Sequence, residues 1–162
     1  MAIDKAAFGS GFIQAGSEWS VDVERVARDL GIVIRWTWLD GPSGVLVREG
    51  KHSLVILNRR NHPVRQRFTL AHEIGHVFLG HPGLVFKCHM TYDNIPRGSN
   101  RLYEWQANRF AEQMLMPEEL VKEFVANHGL HLNAIRTAFG VSEATAYWRL
   151  VHLGLVQERL AI

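Results

Sequence analysis

The sequence predicts a small α+β protein: a short antiparallel sheet packed on two helices, with a carboxy-terminal helical segment of helix-turn-helix pattern. Three observations carry this reading. Runs rich in β-branched and aromatic residues fall between residues 32 and 57, the signature of strands. Apolar residues recur at helical spacing over 67–81 and 102–116. Near the end, Leu132 to Phe139, a glycine at Gly140 and a capped run to Leu153 read as two helices joined by a tight turn.

The elements follow in order. Residues 1–18 are rich in Gly, Ser and Ala and are expected to form a loosely held arm. Val21 to Leu30 places apolar residues at Val23, Val26, Ala27 and Leu30, predicting a helix capped by Ser20 and closed by Gly31. Ile32 to Trp38 predicts a strand, and Asp40 to Gly44 a turn. Val45 to Arg48 and Ser53 to Leu57 predict two strands joined near Glu49-Gly50-Lys51, the second of them an edge strand. Next come a helix over Arg67 to His81, a loop from about Pro82 to Asn100 and a helix over Leu102 to Met116. Pro117-Glu118-Glu119 opens another, since proline and acidic side chains suit a helix amino terminus. Three parts result: the arm (1–18), a core (19–129) and an accessory segment (130–162).

Within the first long helix lies His72-Glu73-Ile74-Gly75-His76. Histidines four apart on a helix stand one turn apart on one face, so both imidazoles can reach a single Zn²⁺. Glu73 shares that rim and can take a proton from a water polarised by the metal. By residue frequency such a pentapeptide arises in roughly one chain of this length in a few hundred, so a third ligand has to be found. The positions that a metzincin would fill with glycine and histidine hold Leu79 and Pro82, which excludes that class. In the second helix, Glu104, Ala107, Asn108 and Ala111 share one stripe. The alanines allow close packing on the first helix. Glu104 can then complete a His-His-Glu set, and Asn108, one turn on, can hydrogen-bond the outer nitrogen of a ligand histidine.

These residues resemble the ImmA/IrrE metallopeptidases: Arg67-Phe-Thr-Leu-Ala-His-Glu-Ile-Gly-His76, then Glu104-x-x-Ala-Asn-x-Phe-Ala111, then Leu115-Met-Pro117. Ser43-Gly-Val-Leu-Val, Leu54-Val-Ile-Leu-Asn58 and the run from Phe139 to Leu155 add to the likeness, which covers roughly residues 20–156. The resemblance implies a zincin-like fold similar to that of thermolysin-like enzymes, in which a glutamate is the third ligand and an acidic residue four positions later orients a histidine. Here that residue is Asn108, which can orient a ring without adding charge. The resemblance also implies bacterial or phage proteases that cut a helix-turn-helix repressor and so induce a stress or mobile-element response. Zn²⁺ is the expected metal, with Mn²⁺ an alternative set by supply in the cell.

A tetrahedral oxyanion would need a further donor, for which Tyr92, His89 and Tyr103 lie near the motifs. His81, five residues after His76, leaves the ligand face and is read as a helix-end residue favourable to the dipole. Cys88 is read as a plain loop thiol.

Composition excludes several classes. With 47% hydrophobic residues in 162, a real core can form. A net charge of +2, from 18 Lys+Arg against 16 Asp+Glu, is no nucleic-acid signature despite a pI of about 8.9. The would-be recognition helix, Glu143 to Arg149, carries one acid and one base, and Arg136 stands where DNA-binding versions need a small alanine. Direct DNA binding is therefore not expected, and the segment reads as a structural or docking module. A single cysteine, no secretory pattern after Met1 and no apolar run of membrane-spanning length point to a cytoplasmic protein with no membrane partner.

Overall fold

The computed structural model describes residues 18–88 and 101–157. The expected arm, apart from Glu18, lies outside them. Helix α1 (Val23–Asp29) is capped not by Ser20 but by Asp22, whose carboxylate accepts from the Arg25 amide at 2.9 Å. Such a cap contributes about 1 kcal/mol. Ser20 has another task, accepting at 3.0 Å from the Arg67 guanidinium, whose other arm donates to the Val21 carbonyl. The segment before α1 is thereby tied to the long motif helix.

Strands β1 (Ile32–Thr37), β2 (Gly44–Glu49) and β3 (His52–Asn58) form as expected, with the β2–β3 hairpin turning at Gly50 and Lys51. Two features differ from the expected sheet. A fourth strand, β4 (Val85–Cys88), forms inside the region read as a loop. The order is β1-β3-β2-β4, with β1 parallel to β3 and the other pairs antiparallel. The sheet is therefore mixed, and β3 is central rather than an edge. Burial alternates along β3, with Ser53, Val55 and Leu57 buried and Leu54 and Ile56 half-buried, so one face of the strand is covered more fully than the other. A parallel partner needs a crossover, here supplied by β2, and no local sequence pattern announces it.

Helix α2 (Pro63–Phe78) begins four residues before its expected start, because His62 caps it and Pro63 occupies the first turn, where a missing N–H costs nothing. It crosses the sheet and lies along α3 (Arg101–Leu115). The close approach depends on Gly75: a Cβ there would stand 3.2 Å from the Ala107 backbone and 3.1 Å from the Phe110 ring. The small-residue stripe read from the sequence thus sets the separation of the two helices that carry the candidate site.

Helices α4 (Glu118–His128), α5 (Leu132–Phe139) and α6 (Glu143–His152) complete the chain, with Ser142 capping α6 through the Thr145 amide at 3.1 Å. Their apolar faces join the rest in one buried cluster that includes Val21, Leu46, Ile74, Met114, Ile135, Phe139 and Leu150. Trp19, ahead of α1, packs on α4 and α5, its ring edge-on to Phe124 at 5.3 Å and 6.4 Å from Phe139. On α6, Arg149 is buried and donates from Nε to the Met116 carbonyl at 2.8 Å, while His152 donates to the buried Glu112 carboxylate of α3 at 2.8 Å. Arg149 thus satisfies a carbonyl at the end of α3 that has no helical partner. Arg149→Leu is expected to cost about 2–3 kcal/mol, since it leaves that carbonyl buried and unpaired. Urea denaturation checks this; an unchanged midpoint would mean that water replaces the guanidinium. No helix among the described residues is long and apolar enough to cross a membrane.

Candidate metal centre

The middle of α2, from Phe68 to His76, is buried between sheet and α3, so its polar side chains must find partners inside the protein. His72 and His76 are 1% and 0% exposed, and their Nε2 atoms lie 3.0 Å apart. Glu104 faces them from α3, with Oε2 at 3.3 Å from His72 Nε2 and Oε1 at 3.6 Å from His76 Nε2. The three side chains expected from the helix spacings are thus brought together, and their ligand atoms could hold one metal ion. Ligand atoms about 2.0–2.1 Å from a tetrahedral zinc lie roughly 3.3 Å from one another, so the spacing fits.

Asn108 also takes its expected place. Its side-chain oxygen stands 2.8 Å from His72 Nδ1 and accepts the proton there, so Nε2 faces Glu104, donating to that carboxylate when the ring is protonated and free for a metal ion when the ring is neutral. Glu73 is fully buried, and neither carboxylate oxygen has a hydrogen-bond partner among the described residues. A buried, unpartnered carboxylate is costly, and its presence fits a group that acts on a bound water. A metal-activated water is what the donor set beside it would supply.

The electrostatics follow from burial. Desolvation pushes the Glu73 carboxyl up to about 8, against the pull of His72. Desolvation likewise lowers His76 to about 4, although its hydrogen bond to Glu104 opposes this. For His72 burial also acts downward, but the bond to Glu104 and the charges of Glu73 and Glu104 outweigh it and raise the pKa. Desolvation would raise Glu104, yet its interactions with the His72 and His76 rings win and hold it at about 2. Glu104 is therefore an anion at neutral pH and His76 a neutral ring, the states a cation needs of its ligands.

Two residues, His81 and Cys88, depart from the sequence reading. His81 does not merely end the helix: α2 stops at Phe78, and Gly80, at φ +66°, turns the chain back. His81 is then buried, with Nδ1 at 2.9 Å from His76 Nδ1 and Nε2 at 3.1 Å from Gln106 Oε1. Tyr103, a candidate oxyanion donor, has its ring stacked on His81 at 4.6 Å. Cys88 is no loop thiol but the buried last residue of β4, near enough to His72 and Glu73 for the three to form a second potential ligand group. The other two oxyanion candidates, His89 and Tyr92, lie outside the described residues. A glycine followed by histidine just past the motif helix was the one available signal for His81. For Cys88 there was none, because its place depends on strand pairing.

The chain matches the peptidase M78 family, described as the IrrE N-terminal-like domain, over residues 27–151. It belongs to this family of metallopeptidases. It is similar to the radiation response metalloprotease IrrE of Deinococcus radiodurans, 34% identical over 93 residues, which are 57% of this chain and 26% of that protein. The protein of the same name from Deinococcus deserti is 35% identical over 80 residues, 49% of this chain and 28% of its own length. The match thus spans little more than a quarter of these relatives.

Proposed function

We propose that this chain is a zinc-dependent endopeptidase of the cytoplasm that cleaves a helix-turn-helix transcriptional repressor and so induces a stress or mobile-element response. The observation that carries the catalytic part is the pairing of a His72–His76–Glu104 donor set with a buried Glu73 carboxylate that has no hydrogen-bond partner among the described residues. A structural metal site has no need of such a base.

The chemistry a zinc ion supplies there is Lewis acidity: a water acidified to a pKa of about 7 and a polarised substrate carbonyl. The protein's residues do the rest. His72, His76 and Glu104 hold the ion, and Asn108 keeps His72 in the tautomer that presents Nε2. Glu73 takes the proton of the attacking water and delivers it to the departing amine. The scissile segment is extended, and β4, the edge of the described sheet nearest the site, offers it a strand to pair with. The ring of Phe86 on β4 packs 4.5 Å from that of His76, which places this strand beside the site.

The repressor as substrate is supported by the family resemblance and by the relatives' names, which describe radiation-response metalloproteases. Direct DNA binding is disfavoured: Arg149, the basic side chain of the would-be recognition helix, is spent on the Met116 carbonyl. The test is co-expression of the chain with a neighbouring helix-turn-helix repressor. A discrete cleavage product is expected with the parent and none with Glu73→Gln. An intact repressor in both would remove this substrate, while cleavage of unrelated peptides would then point to a less selective peptidase.

A further inference from the structure

Asn108 orients one ligand histidine, and nothing in the helix spacings supplied an equivalent for the other. The turn after α2 does. Gly80 adopts a left-handed backbone, φ +66°, that other residues adopt only under strain. It allows the His81 amide to bond the His76 carbonyl at 3.1 Å and brings the His81 ring beside the His76 ring. His81 is gripped on three sides: Gln106 Oε1 at 3.1 Å from Nε2, Tyr103 stacked on one face at 4.6 Å, and its own carbonyl accepting from Arg48 at 2.6 Å. A ring only 3% exposed with both nitrogens engaged has one consistent proton arrangement toward an amide oxygen. Gln106 Oε1 accepts from His81 Nε2, so the neutral His81 ring carries its lone pair on Nδ1. That lone pair accepts from His76 Nδ1 at 2.9 Å, and His76 is left with a bare Nε2 facing His72 and Glu104.

We propose that His81, held by Gln106, is a positioning residue that fixes the tautomer and aim of His76 for metal binding. The proposal rests on the metal-site reading above. The site would then have two supports from different parts of the chain: Asn108 on α3 behind His72, and the His81–Gln106 pair behind His76. Outer partners of this kind typically contribute 10–100-fold to metal affinity. Gln106 lies on α3 between Glu104 and Asn108, so one helix carries a ligand and the acceptors that order both histidines.

The test measures affinity for zinc alone, by competition with a chromophoric chelator at neutral pH, in the full chain. His81→Phe keeps a ring against Tyr103 but removes the acceptor, and is expected to weaken zinc binding about 10–100-fold. His81→Asn places an amide oxygen where Nδ1 stood and is expected to stay within about threefold of the parent. The visible spectrum of the cobalt-substituted protein should change in the Phe variant and be retained in the Asn variant. Equal affinities for the parent and His81→Phe would overturn the proposal. So would an Asn variant as weak as the Phe variant, since packing alone would then explain the loss. Should His81→Phe not fold, Gln106→Leu against Gln106→Glu asks the same question: the Glu variant keeps the acceptor, and equal binding by the two would overturn the proposal. His72→Ala runs alongside. A parent that binds zinc no better than His72→Ala would defeat the metal-site reading itself, a result distinct from failure of the His81 series.

Discussion

Glu73→Gln is expected to retain metal and fold while losing proteolysis by about 10²–10⁴-fold, the usual worth of a general base. Glutamine fills the same buried space and can hydrogen-bond a water, yet it cannot take the proton. Steady-state cleavage at matched metal content is the measurement, and a parent-like rate would remove Glu73 from the reaction. The same substitution has a second consequence in metal-free protein. The folded-state pKa of Glu73, about 8, lies above its ordinary value of 4.5. The folded state therefore prefers the proton, and stability is lost as pH rises from the unfolded pKa through the folded one. Metal-free Glu73→Gln should thus match the parent near pH 4 and grow more stable than it toward pH 8. Chemical denaturation across that range checks the sign. A gap that fails to open toward pH 8 would mean that Glu73 is an anion in the folded, metal-free protein.

The second large effect concerns the ion. Purified parent protein is expected to carry one zinc per chain, with His72→Ala and Glu104→Ala each losing it. Elemental analysis after dialysis against a weak chelator checks this. Undiminished metal in the Glu104 variant would remove that residue from the ligand set. Because bound metal stabilises only the folded chain, a free concentration 1,000 times the dissociation constant adds about 4 kcal/mol. Stripping with a strong chelator should therefore lower the thermal midpoint of the parent and leave that of His72→Ala unmoved. Acidification should weaken binding, since a proton on His72, whose pKa is raised, competes with the ion.

Helix geometry is local, and what it governs was legible in the sequence. Residues four apart share a face wherever the helix goes, so His72 with His76 and Glu104 with Asn108 could be assigned to two stripes before any packing was known. The alanine at Ala107 marked the same stripe as a contact surface, and Gly75 proved to be its counterpart on α2. The hairpin between β2 and β3, the Gly140 turn and the Ser142 cap are likewise short-range matters, set by backbone preferences within a few residues.

Other features were decided by tertiary structure, because they depend on which distant surfaces meet. The parallel pairing of β1 with β3 makes β3 central, and pairing with β2 draws β4 out of an apparent loop. That pairing carries Cys88 into the interior beside His72 and Glu73. The burial of Arg149 against Met116 turns a would-be recognition helix into part of the core, a role its charge count alone left open. His81 lies between the two cases: its glycine-led turn is local, but its partners Tyr103 and Gln106 come from α3. The spacing of the candidate ligands along each helix is thus a property of the sequence. The unpartnered burial of Glu73 and the environment behind each histidine arise only when α2, α3 and the sheet exclude water together.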